Sequence, residues 1–514
     1  MKRFNYTGTC IPNKHYMVNA TAKLDIIKQY IDHEEYFTIN RPRQYGKTTT
    51  IYLLKQKLKN DYIIIKTSFE GIGEPFFQTD ANFCKSILSL FADGVVSDDE
   101  DFKQMIIDED KNLTSLKDLS KAITNFTKKA NKQVILFIDE VDKATNHSLF
   151  FNFLGMLRNK YLKRNEGEDT TFHSVILVGV HDVKNIKMKI RNSDESQYNS
   201  PWNVAIDFKV DMSFLVDEIA GMLADYEKDH NTGMDIRHMA EKLREYTSGY
   251  PFLVSKLCYI MDEELKKDFT ENSLEQAMTI ILNENNTLFD DLVKNINQYP
   301  ELYNLSELII LSGVEVNYNF LAHNLGIMYG ILSMSSNRKL KIHNKIFEIL
   351  LYDYFIAKRE IAKGPALNYK YEAQFINDSK GLDMELVLTK FQELMKAEYR
   401  KADEKFVERE GRLLFLAFLK PIINGKGFYF VEPETRKSGR MDIVVTFNQK
   451  KFVIELKVWH GEKYAQEGRE QLCRYLEFQN LNKGYMVFFN FNKNKKYDLI
   501  NRKIDNKSIF EITV

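Results

Sequence analysis

Residues 41–49, Arg41-Pro42-Arg43-Gln44-Tyr45-Gly46-Lys47-Thr48-Thr49, decide the fold of the N-terminal part of this chain. They follow a strand-like segment, Tyr36–Asn40, and precede a helical stripe of Ile51, Leu54 and Leu58. A Gly-Lys-Thr triplet at a strand-to-helix junction directs backbone N–H groups and the positive end of the helix toward phosphate. The lysine then reaches the β- and γ-phosphate oxygens, and the hydroxyl ligates magnesium. The stretch therefore predicts a P-loop that binds a nucleoside triphosphate with magnesium.

A second motif lies downstream, where the apolar residues 134–138 lead into Asp139 and Glu140. Such a run builds a central strand, and the acid at its end meets the magnesium shell, while the next acid orients or deprotonates the attacking water. Arg41 stands in the position of the motif's first glycine, which predicts a differently shaped entrance to the loop. The residues expected to bind the nucleotide are Arg43, Gln44, Tyr45, Gly46, Lys47, Thr48, Thr49 and Asp139. Of these, Thr48 and Asp139 are the expected magnesium ligands, and Glu140 is the expected catalytic residue.

Helical stripes alternate with strand-like segments over the first third of the chain, with strands expected at 62–67, 134–138 and 175–180. This alternation favours a parallel sheet covered by helices on both faces. From Val216 to Phe355 the pattern is mainly helical, and one helix boundary falls at 248–254, where a glycine ends one helix and a proline opens the next. A short β-ribbon ahead of an apolar helix near the end of this segment indicates a helical lid followed by a winged-helix module.

The residues of this N-terminal part carry a resemblance. Residues 41–48 resemble the variant P-loop of the AAA-like, archaeal-type P-loop ATPases, and residues 138–142 are similar to their Walker B motif. Three later segments resemble further sequence motifs of that family: Gly179-Val180-His181-Asp182, Ser200-Pro201-Trp202-Asn203 and Gly249-Tyr250-Pro251-Phe252. The resemblance covers about residues 1–355 and implies an ATPase core with a lid and a winged helix. Candidates for an arginine at the γ-phosphate are Arg43, Arg158 and Arg191, and each is equally explained as an ordinary surface or ion-pair arginine.

A second group of polar residues lies near the C-terminus, where 442–445 and 452–457 are expected to form a hairpin. Because strand side chains alternate, Glu455 and Lys457 project from one face. Two carboxylates on adjacent strands, Asp442 and Glu455, can hold a hard divalent cation. A lysine beside them can position or activate water and offset charge on a phosphate. Glu-x-Lys is also common on solvated edge strands, so the flanking helices decide between the two interpretations.

Both flanking helices place a polar residue within an inward stripe. Glu410 shares a stripe with Phe406, Leu413 and Ala417, and a buried carboxylate there is costly without a partner such as a metal. Gln471 lies on the stripe of Tyr464, Gly468 and Tyr475, which places its amide inward. These positions favour a metal site.

Residues 439–442, 454–457 and 471–475 resemble the PD-(D/E)XK nuclease superfamily, in the group fused behind AAA-like ATPase domains. The resemblance covers about residues 380–514. It implies that Asp442 and Glu455 are metal ligands, Lys457 is the catalytic lysine, Glu410 is the helix-borne acid, and Gln471 is the polar residue of the following helix. Met441 replaces the usual proline. A basic patch is expected from Arg436, Lys437, Arg440, Lys463 and Arg469, which are equally consistent with an ordinary surface.

Bulk composition limits the partners. Lys plus Arg and Asp plus Glu number 72 each, so the chain carries no general attraction for nucleic acid, and any such contact needs a local basic patch. Its 4 cysteines contain no C-x-x-C pair, which argues against a disulfide framework and a zinc site. No signal peptide or membrane-spanning run is recognised, so a cytoplasmic location and no membrane partner are expected.

We therefore expect an α/β fold: a P-loop NTPase parallel sheet with a helical lid and winged-helix region, then a small α/β restriction-endonuclease-like domain. The expected boundaries are 1–215 for the ATPase core, 216–358 for the lid and winged helix, 359–380 for a connector and 381–514 for the nuclease-like domain. The leading hypothesis is an ATP-hydrolysing protein coupled to a nuclease that cleaves DNA or RNA with Mg²⁺ or Mn²⁺, in defence or mobile-element biology; a homo-oligomer is compatible with it. The alternatives are a nucleotide-dependent switch that binds nucleic acid or a partner without cleaving, and a slow or non-hydrolysing nucleotide binder.

Overall fold

The computed structural model describes the chain from residue 2 to residue 514 with gaps. The residues outside the description are 97–98, 181–201, 313–315, 318–319, 336–337, 364–374, 377–380, 399–407, 424–425, 432–441, 449 and 493–494. Some side chains within the described helices and strands also lie outside it: those of residues 112, 311–312, 317, 320–323, 359–363, 397–398, 408–410, 430, 442 and 478. The chain divides into two compact units: one comprises 1–229, 250–255 and 328–330, and the other comprises 230–249, 256–327 and 331–514. The four segments expected from the sequence, with their boundaries, stay predictions.

The first unit is built on a parallel sheet with the strand order β1-β4-β3-β2. Its elements are α1 (Thr21–Asp32), β1 (Phe37–Asn40), α2 (Lys47–Leu58), β2 (Ile63–Ser68), α3 (Asp80–Asp93), α4 (Glu100–Asp108), α5 (Leu116–Lys129), β3 (Val134–Asp139), α6 (Ser148–Asn165), β4 (Ser174–Gly179) and α7 (Val216–His230). Every residue of β3 and β4 is buried, as expected for central strands of a parallel sheet. Beyond β1, Ile206 forms a further parallel bridge with Phe37. The alternation expected from the sequence is confirmed.

Amphipathic stripes attach the helices to this sheet. In α1 the buried residues are Leu24, Ile27 and Ile31, which is the stripe expected from the sequence. Helix α5 begins where the Ser115 side chain accepts a hydrogen bond from the Asp118 N–H. Its buried face packs into an apolar core shared with α3, α6 and the sheet. Burial of these stripes places the ends of β1 and β3 on a rigid scaffold.

Residues 230–363 are mainly helical, as expected. Their elements are α8 (Ile236–Thr247), α9 (Pro251–Tyr259), α10 (Glu271–Asn283), α11 (Thr287–Gln298), α12 (Pro300–Ser312), β5 (Val316–Asn317), α13 (Phe320–Met328), β6 (Leu332–Met334), β7 (Lys339–Ile342) and α14 (Lys345–Lys363). Helix α8 ends at Ser248 and Gly249, both at positive φ, and Pro251 opens α9. Strands β6 and β7 form the expected ribbon before α14, and β5 pairs with β7 to complete a three-stranded sheet.

The C-terminal part holds a six-stranded mixed sheet with the order β12-β13-β11-β10-β9-β8. Its elements are α15 (Met384–Glu398), α16 (Glu408–Ile423), β8 (Gly427–Val431), β9 (Asp442–Phe447), β10 (Lys450–Val458), α17 (Glu462–Phe478), β11 (Lys483–Phe489), β12 (Leu499–Ile504) and β13 (Lys507–Thr513). Strand β9 is antiparallel to β10, and β10 is parallel to β11. The expected hairpin and helices are confirmed, whereas β8, β12, β13 and α15 are additions that the sequence pattern did not show.

Ion pairs join this sheet to the helices within the second unit. Lys451 at the start of β10 lies 2.8 Å from Glu271 and 3.1 Å from Glu275, both on α10. Tyr429 of β8 donates to an Asp353 carboxylate oxygen of α14 at 3.1 Å. The mixed sheet is therefore packed directly on helical segments.

Among the described residues, every helix is too short or too polar to cross a membrane.

Candidate functional sites

The loop between β1 and α2 has the backbone geometry of a phosphate-binding loop. Gly46 caps α2 at φ 78°, a left-handed conformation that residues with a Cβ rarely adopt, and Gln44 also has a positive φ of 55°. A backbone that places left-handed residues among right-handed ones turns successive N–H groups inward, next to the free N–H groups of the first helical turn. The Lys47 ammonium donates to the Arg41 and Pro42 carbonyls at 2.8 Å each, and the Thr48 side chain is exposed. The Thr49 hydroxyl accepts a hydrogen bond from the Cys10 N–H at 3.0 Å.

A tyrosine outside the motif holds the loop in place. The Tyr250 hydroxyl donates to the Arg43 carbonyl at 2.6 Å, and its ring lies edge-on to Tyr45 with centroids 4.7 Å apart. The sequence singled out residues 248–254 as a helix boundary and family landmark, but the role of the tyrosine is visible only in the folded chain. Tyr250 therefore positions the backbone that is expected to surround phosphate.

Arg41, in the position of the motif's first glycine, turns its side chain away from the lysine. Its guanidinium donates to the Val210 carbonyl at 2.6 Å and lies 4.8 Å from the centroid of the Phe208 ring. The arginine thus attaches the loop entrance to the chain segment beside β1. The altered entrance predicted from the sequence is explained by this attachment.

The acids of the second motif lie at the end of β3. Asp139 is its last residue, is 7% exposed, and accepts a hydrogen bond from the Glu140 N–H at 3.0 Å. Burial raises the pKa of both carboxyls, and the nearby Lys47 charge opposes this rise. Burial also lowers the pKa of Lys47 to about 8, although Asp142, Glu140 and Asp139 favour its charged form. The lysine and the acids therefore share one electrostatic environment, as a nucleotide–magnesium site requires.

Asp142, three residues beyond Asp139, links this site to the neighbouring strand. Its Oδ2 atom accepts a hydrogen bond from the Val180 N–H at 2.5 Å, just after β4. Of the family landmarks, His181, Asp182, Ser200 and Pro201 lie outside the described residues, as does Arg191. Trp202 is buried and stacks on Tyr36 at 5.7 Å, so it is a core residue. Arg43 is exposed and Arg158 is half-buried on α6, and the choice of a γ-phosphate arginine stays open.

The second site depends on the register of the β9–β10 hairpin. Glu455 and Asp442 are directly opposed cross-strand partners. Directly opposed residues in an antiparallel pair share a face, with Cβ atoms about 4.5–5.5 Å apart. The backbone therefore brings together the two positions that are predicted to share a cation, although the Asp442 side chain lies outside the description.

Glu455 and Lys457 form a buried pair on this face. The Lys457 ammonium lies 4.0 Å from Glu455 Oε1, and the two side chains are 2% and 0% exposed. The ammonium also lies 4.3 Å from the centroid of the Tyr464 ring on α17. A Cβ built at Gly468, one turn further along α17, would lie 3.1 Å from both Cδ and Cε of Lys457. Because Gly468 has no side chain, the helix can approach the lysine closely. These residues are enclosed and do not form a solvated edge strand.

The two flanking helices fit the expected stripes unequally. Tyr464 and Gly468 both contact Lys457, so α17 presents the expected face to β10. Gln471 follows on that face and is half-buried. Helix α16 approaches the sheet at Gly411, where a Cβ would overlap the Phe489 ring. Glu410 precedes that contact, but its side chain lies outside the described residues, so its role as a ligand stays a prediction.

The basic patch expected around this site needs one correction. Arg469 is 2% exposed, and its guanidinium binds Glu511 and Glu462 at 2.6 Å each, so it is an internal ion-pair residue. Lys463 is exposed, and Arg436, Lys437 and Arg440 lie outside the described residues. The Trp459 ring packs edge-on against Phe488 at 5.4 Å, and the Trp459 backbone N–H donates to the Phe489 carbonyl, which gives the residue a structural role.

The donor set at the second site is incomplete in the described part of the chain. Among the side chains that the structure describes, no three His, Cys, Asp or Glu residues are grouped to hold a metal ion. Two of the three expected ligands, Asp442 and Glu410, have side chains outside the described residues. Of the three, Glu455 is described, and a fully buried carboxylate whose cross-strand partner is an aspartate suits an oxygen-preferring divalent cation.

Fold and site together define a P-loop ATPase-type α/β fold followed by a mixed-sheet nuclease-superfamily domain. The first assignment follows from the parallel sheet, the loop after β1 and the acids after β3. For the second, residues 428–503 match the family model of the PD-(D/E)XK nuclease superfamily.

Several solved structures are similar at low identity. The Walker-type ATPase PABY2304 of Pyrococcus abyssi shares 12% identity at a TM-score of 0.46, covering 68% of this chain and 99% of that chain. The Aeropyrum pernix ORC1 protein in complex with DNA shares 12% identity at 0.30, covering 67% and 95%. The Aeropyrum pernix ORC2 protein in ADPNP-ADP complexes shares 11% at 0.34, covering 66% and 93%. No curated protein matches the chain.

Proposed function

We propose that this protein is an ATPase whose C-terminal domain is a metal-dependent nuclease acting on nucleic-acid phosphodiesters. The observation that carries the proposal is the direct register of Asp442 opposite Glu455, with Lys457 enclosed 4.0 Å from Glu455. A module that only binds nucleic acid has no need to enclose this combination. Burying two charged side chains carries a desolvation cost that an apolar pair would avoid, so a functional role accounts for their presence.

In the N-terminal site, each residue has a defined task. The backbone from Gln44 to Gly46 and the start of α2 surround the phosphates, and Lys47 exchanges its two loop carbonyls for phosphate oxygens. The exposed Thr48 hydroxyl and the Asp139 carboxylate would hold magnesium, which screens phosphate charge when bound. Glu140 follows Asp139 at a positive φ of 52°, and its raised pKa suits a group that orients or deprotonates water.

In the C-terminal site, Asp442, Glu455 and Glu410 would hold Mg²⁺ or Mn²⁺, which supplies a Lewis acid and a bound water. Lys457 places a positive charge beside that cluster, where it stabilises the charge that develops on a phosphate under attack. Tyr464 and the glycine of α17 hold the lysine stem in position. The Gln471 amide, on the same helix, would orient the lysine or the substrate. The substrate is DNA or RNA, and we place the activity in defence or mobile-element biology.

The proposal is tested by incubating the full chain with single- and double-stranded DNA and RNA, with and without ATP, in Mg²⁺, Mn²⁺ or EDTA. We expect metal-dependent cleavage that Lys457→Met and Asp442→Asn abolish, while Lys85→Met, a change at an exposed lysine of α3, leaves it intact. Glu140→Gln is expected to slow ATP turnover without preventing ATP binding.

Other outcomes separate the alternatives. Cleavage at full rate in Lys457→Met would overturn the assignment of the catalytic lysine. Binding without cleavage in every metal would favour the nucleotide-dependent switch. ATP turnover that is absent in the wild type would favour the non-hydrolysing nucleotide binder.

A further inference from the structure

Exposed apolar side chains are concentrated after β11. Of the 11 large apolar residues that are well exposed among the described residues, 4 fall within ten positions: Phe491, Tyr497, Leu499 and Ile500, at 42%, 38%, 49% and 37% exposure. The segment has no part in the nucleotide site or in the buried Glu455–Lys457 pair. Clusters of exposed apolar groups mark interaction sites more often than chance.

The same segment is basic in an otherwise neutral chain. Residues 490–504 contain 5 lysines and arginines and 1 acid. The Lys495 ammonium lies 5.8 Å from the Phe491 ring centroid and 5.0 Å from that of Tyr497. From α15, the Lys396 ammonium lies 4.5 Å from the Tyr497 ring. Two rings and two ammonium groups are thus interleaved on one surface.

Backbone hydrogen bonds hold both ends of this loop. The Asn490 N–H donates to the Val514 carbonyl at 2.9 Å, and the Asp498 carbonyl accepts from the Thr513 N–H at 3.0 Å. Lys396 is held as well, since its ammonium donates to Gln392 Oε1 at 2.7 Å. The surface is therefore attached at fixed points to the end of β13.

The loop also begins close to the buried lysine. Lys457 is the register partner of Phe488 on the neighbouring strand. Phe491 follows Phe488 by three residues, which span at most about 10 Å of chain. A nucleic-acid strand that contacts Phe491 would pass within a few nucleotides of the Glu455–Lys457 face.

We propose that Phe491, Tyr497, Lys495 and Lys396 form a single-stranded nucleic-acid binding surface that leads the substrate to the nuclease site. The rings stack on bases while the ammonium groups neutralise backbone phosphates, the combination used for strand binding without sequence preference. A duplex keeps its bases stacked internally and offers no base face to these rings, so the surface selects single strands. The inference rests on the proposed nuclease function for its choice of partner, but it concerns binding and is measured without cleavage.

The test is fluorescence anisotropy in EDTA, with the full chain and labelled oligo(dT), oligo(U) and a duplex, each about 20 nucleotides long to span the site sizes of such surfaces. Phe491→Ala and Tyr497→Ala are each expected to weaken binding to the single strands about 5-fold or more, with Tyr497→Phe close to wild type. Lys495→Ala should reduce the slope of log affinity against log salt by about 0.7. Ile107→Ala, which removes an apolar side chain that is 45% exposed on α4, is the matched control and should change nothing.

Failure of this inference is distinct from failure of the nuclease proposal. Loss of single-strand binding in the ring variants, with no cleavage by the wild type in any metal, supports the surface and overturns the nuclease. If both alanine variants keep wild-type cleavage and wild-type affinity for single strands, the proposed binding surface is refuted and the nuclease proposal is unaffected. If the alanine variants instead change the oligomeric state in sedimentation and keep wild-type affinity, the surface joins copies of the chain and the inference falls.

Discussion

The buried Glu455–Lys457 pair allows one prediction to be worked through quantitatively. The charged atoms are 4.0 Å apart, and the side chains are 0% and 2% exposed. At that separation the Coulomb attraction is about 4 kcal/mol for an effective dielectric constant near 20. Removing one member of a buried ion pair typically costs about 3–5 kcal/mol. We therefore expect Lys457→Met and Glu455→Gln each to destabilise the second unit by about that amount.

The double variant separates coupling from simple loss of packing. Met and Gln keep most of the volume of the residues they replace, and neither is charged. The double variant therefore leaves no buried charge at these two positions. Its destabilisation should be smaller than the sum of the two single effects, by about 2–4 kcal/mol. In a unit of this size about 1 kcal/mol shifts the melting temperature by about 2–3 °C, so each single variant should lower it by about 6–15 °C.

The measurement is differential scanning calorimetry of the full chain in EDTA, which resolves the transitions of the two units and excludes metal effects. Lys463→Met applies the same chemical change to an exposed lysine of α17 and should shift the transition by under 1 °C. If the single effects are within about 0.5 kcal/mol of zero, or add without a coupling energy, then the enclosed ion pair is refuted.

Three further predictions concern other contacts. Tyr464→Phe should keep cleavage near wild type, whereas Tyr464→Ala should lower kcat about 10-fold or more with little change in KM, because Lys457 loses a ring 4.3 Å away; equal rates in steady-state assays would contradict this role. Burial lowers the pKa of Lys47 to about 8 and bound phosphate favours its charged form, so ATP affinity by calorimetry should fall as pH rises from 7 to 9.5; Lys47→Arg should flatten this dependence, and a flat wild-type profile would argue against phosphate contact. Burial alone would raise the pKa of Glu271, but the ion pair with Lys451 lowers this pKa to about 2. The contribution of the pair to stability is therefore present above the unfolded pKa near 4.5 and is lost as pH falls toward 2. Urea melts should show Lys451→Met destabilising at pH 7 and much less at pH 3, and an equal loss at both pH values would exclude this linkage.

The sites divide into parts with local signals and parts without. The motif at 41–49 can be recognised from the sequence because a glycine, a lysine and a hydroxyl residue must be adjacent to contact phosphate at a helix start. Tyr250, by contrast, contacts the loop although it lies more than two hundred positions further along the chain. A single tyrosine at a helix boundary gives no sequence signal that identifies its partner. Arg469 illustrates the reverse error, since arginines usually lie on the surface but this one is buried in ion pairs with Glu462 of its own helix and Glu511 of β13.

What the sequence determined by itself was the identity and order of the elements that carry chemistry. The stripe of α1, the strands ending at Asn40 and Asp139, and the Glu455–Lys457 alternation all follow from periodicities of 3.6 and 2, which are local properties of the chain. Tertiary structure decided which of these residues meet. It closed Tyr464 and Gly468 over Lys457 and added the edge strand beside the basic, ring-bearing loop. The opposition of Asp442 and Glu455 follows from the expected hairpin, whereas helix docking depends on the packing of side chains distant in sequence, so no local pattern contains it.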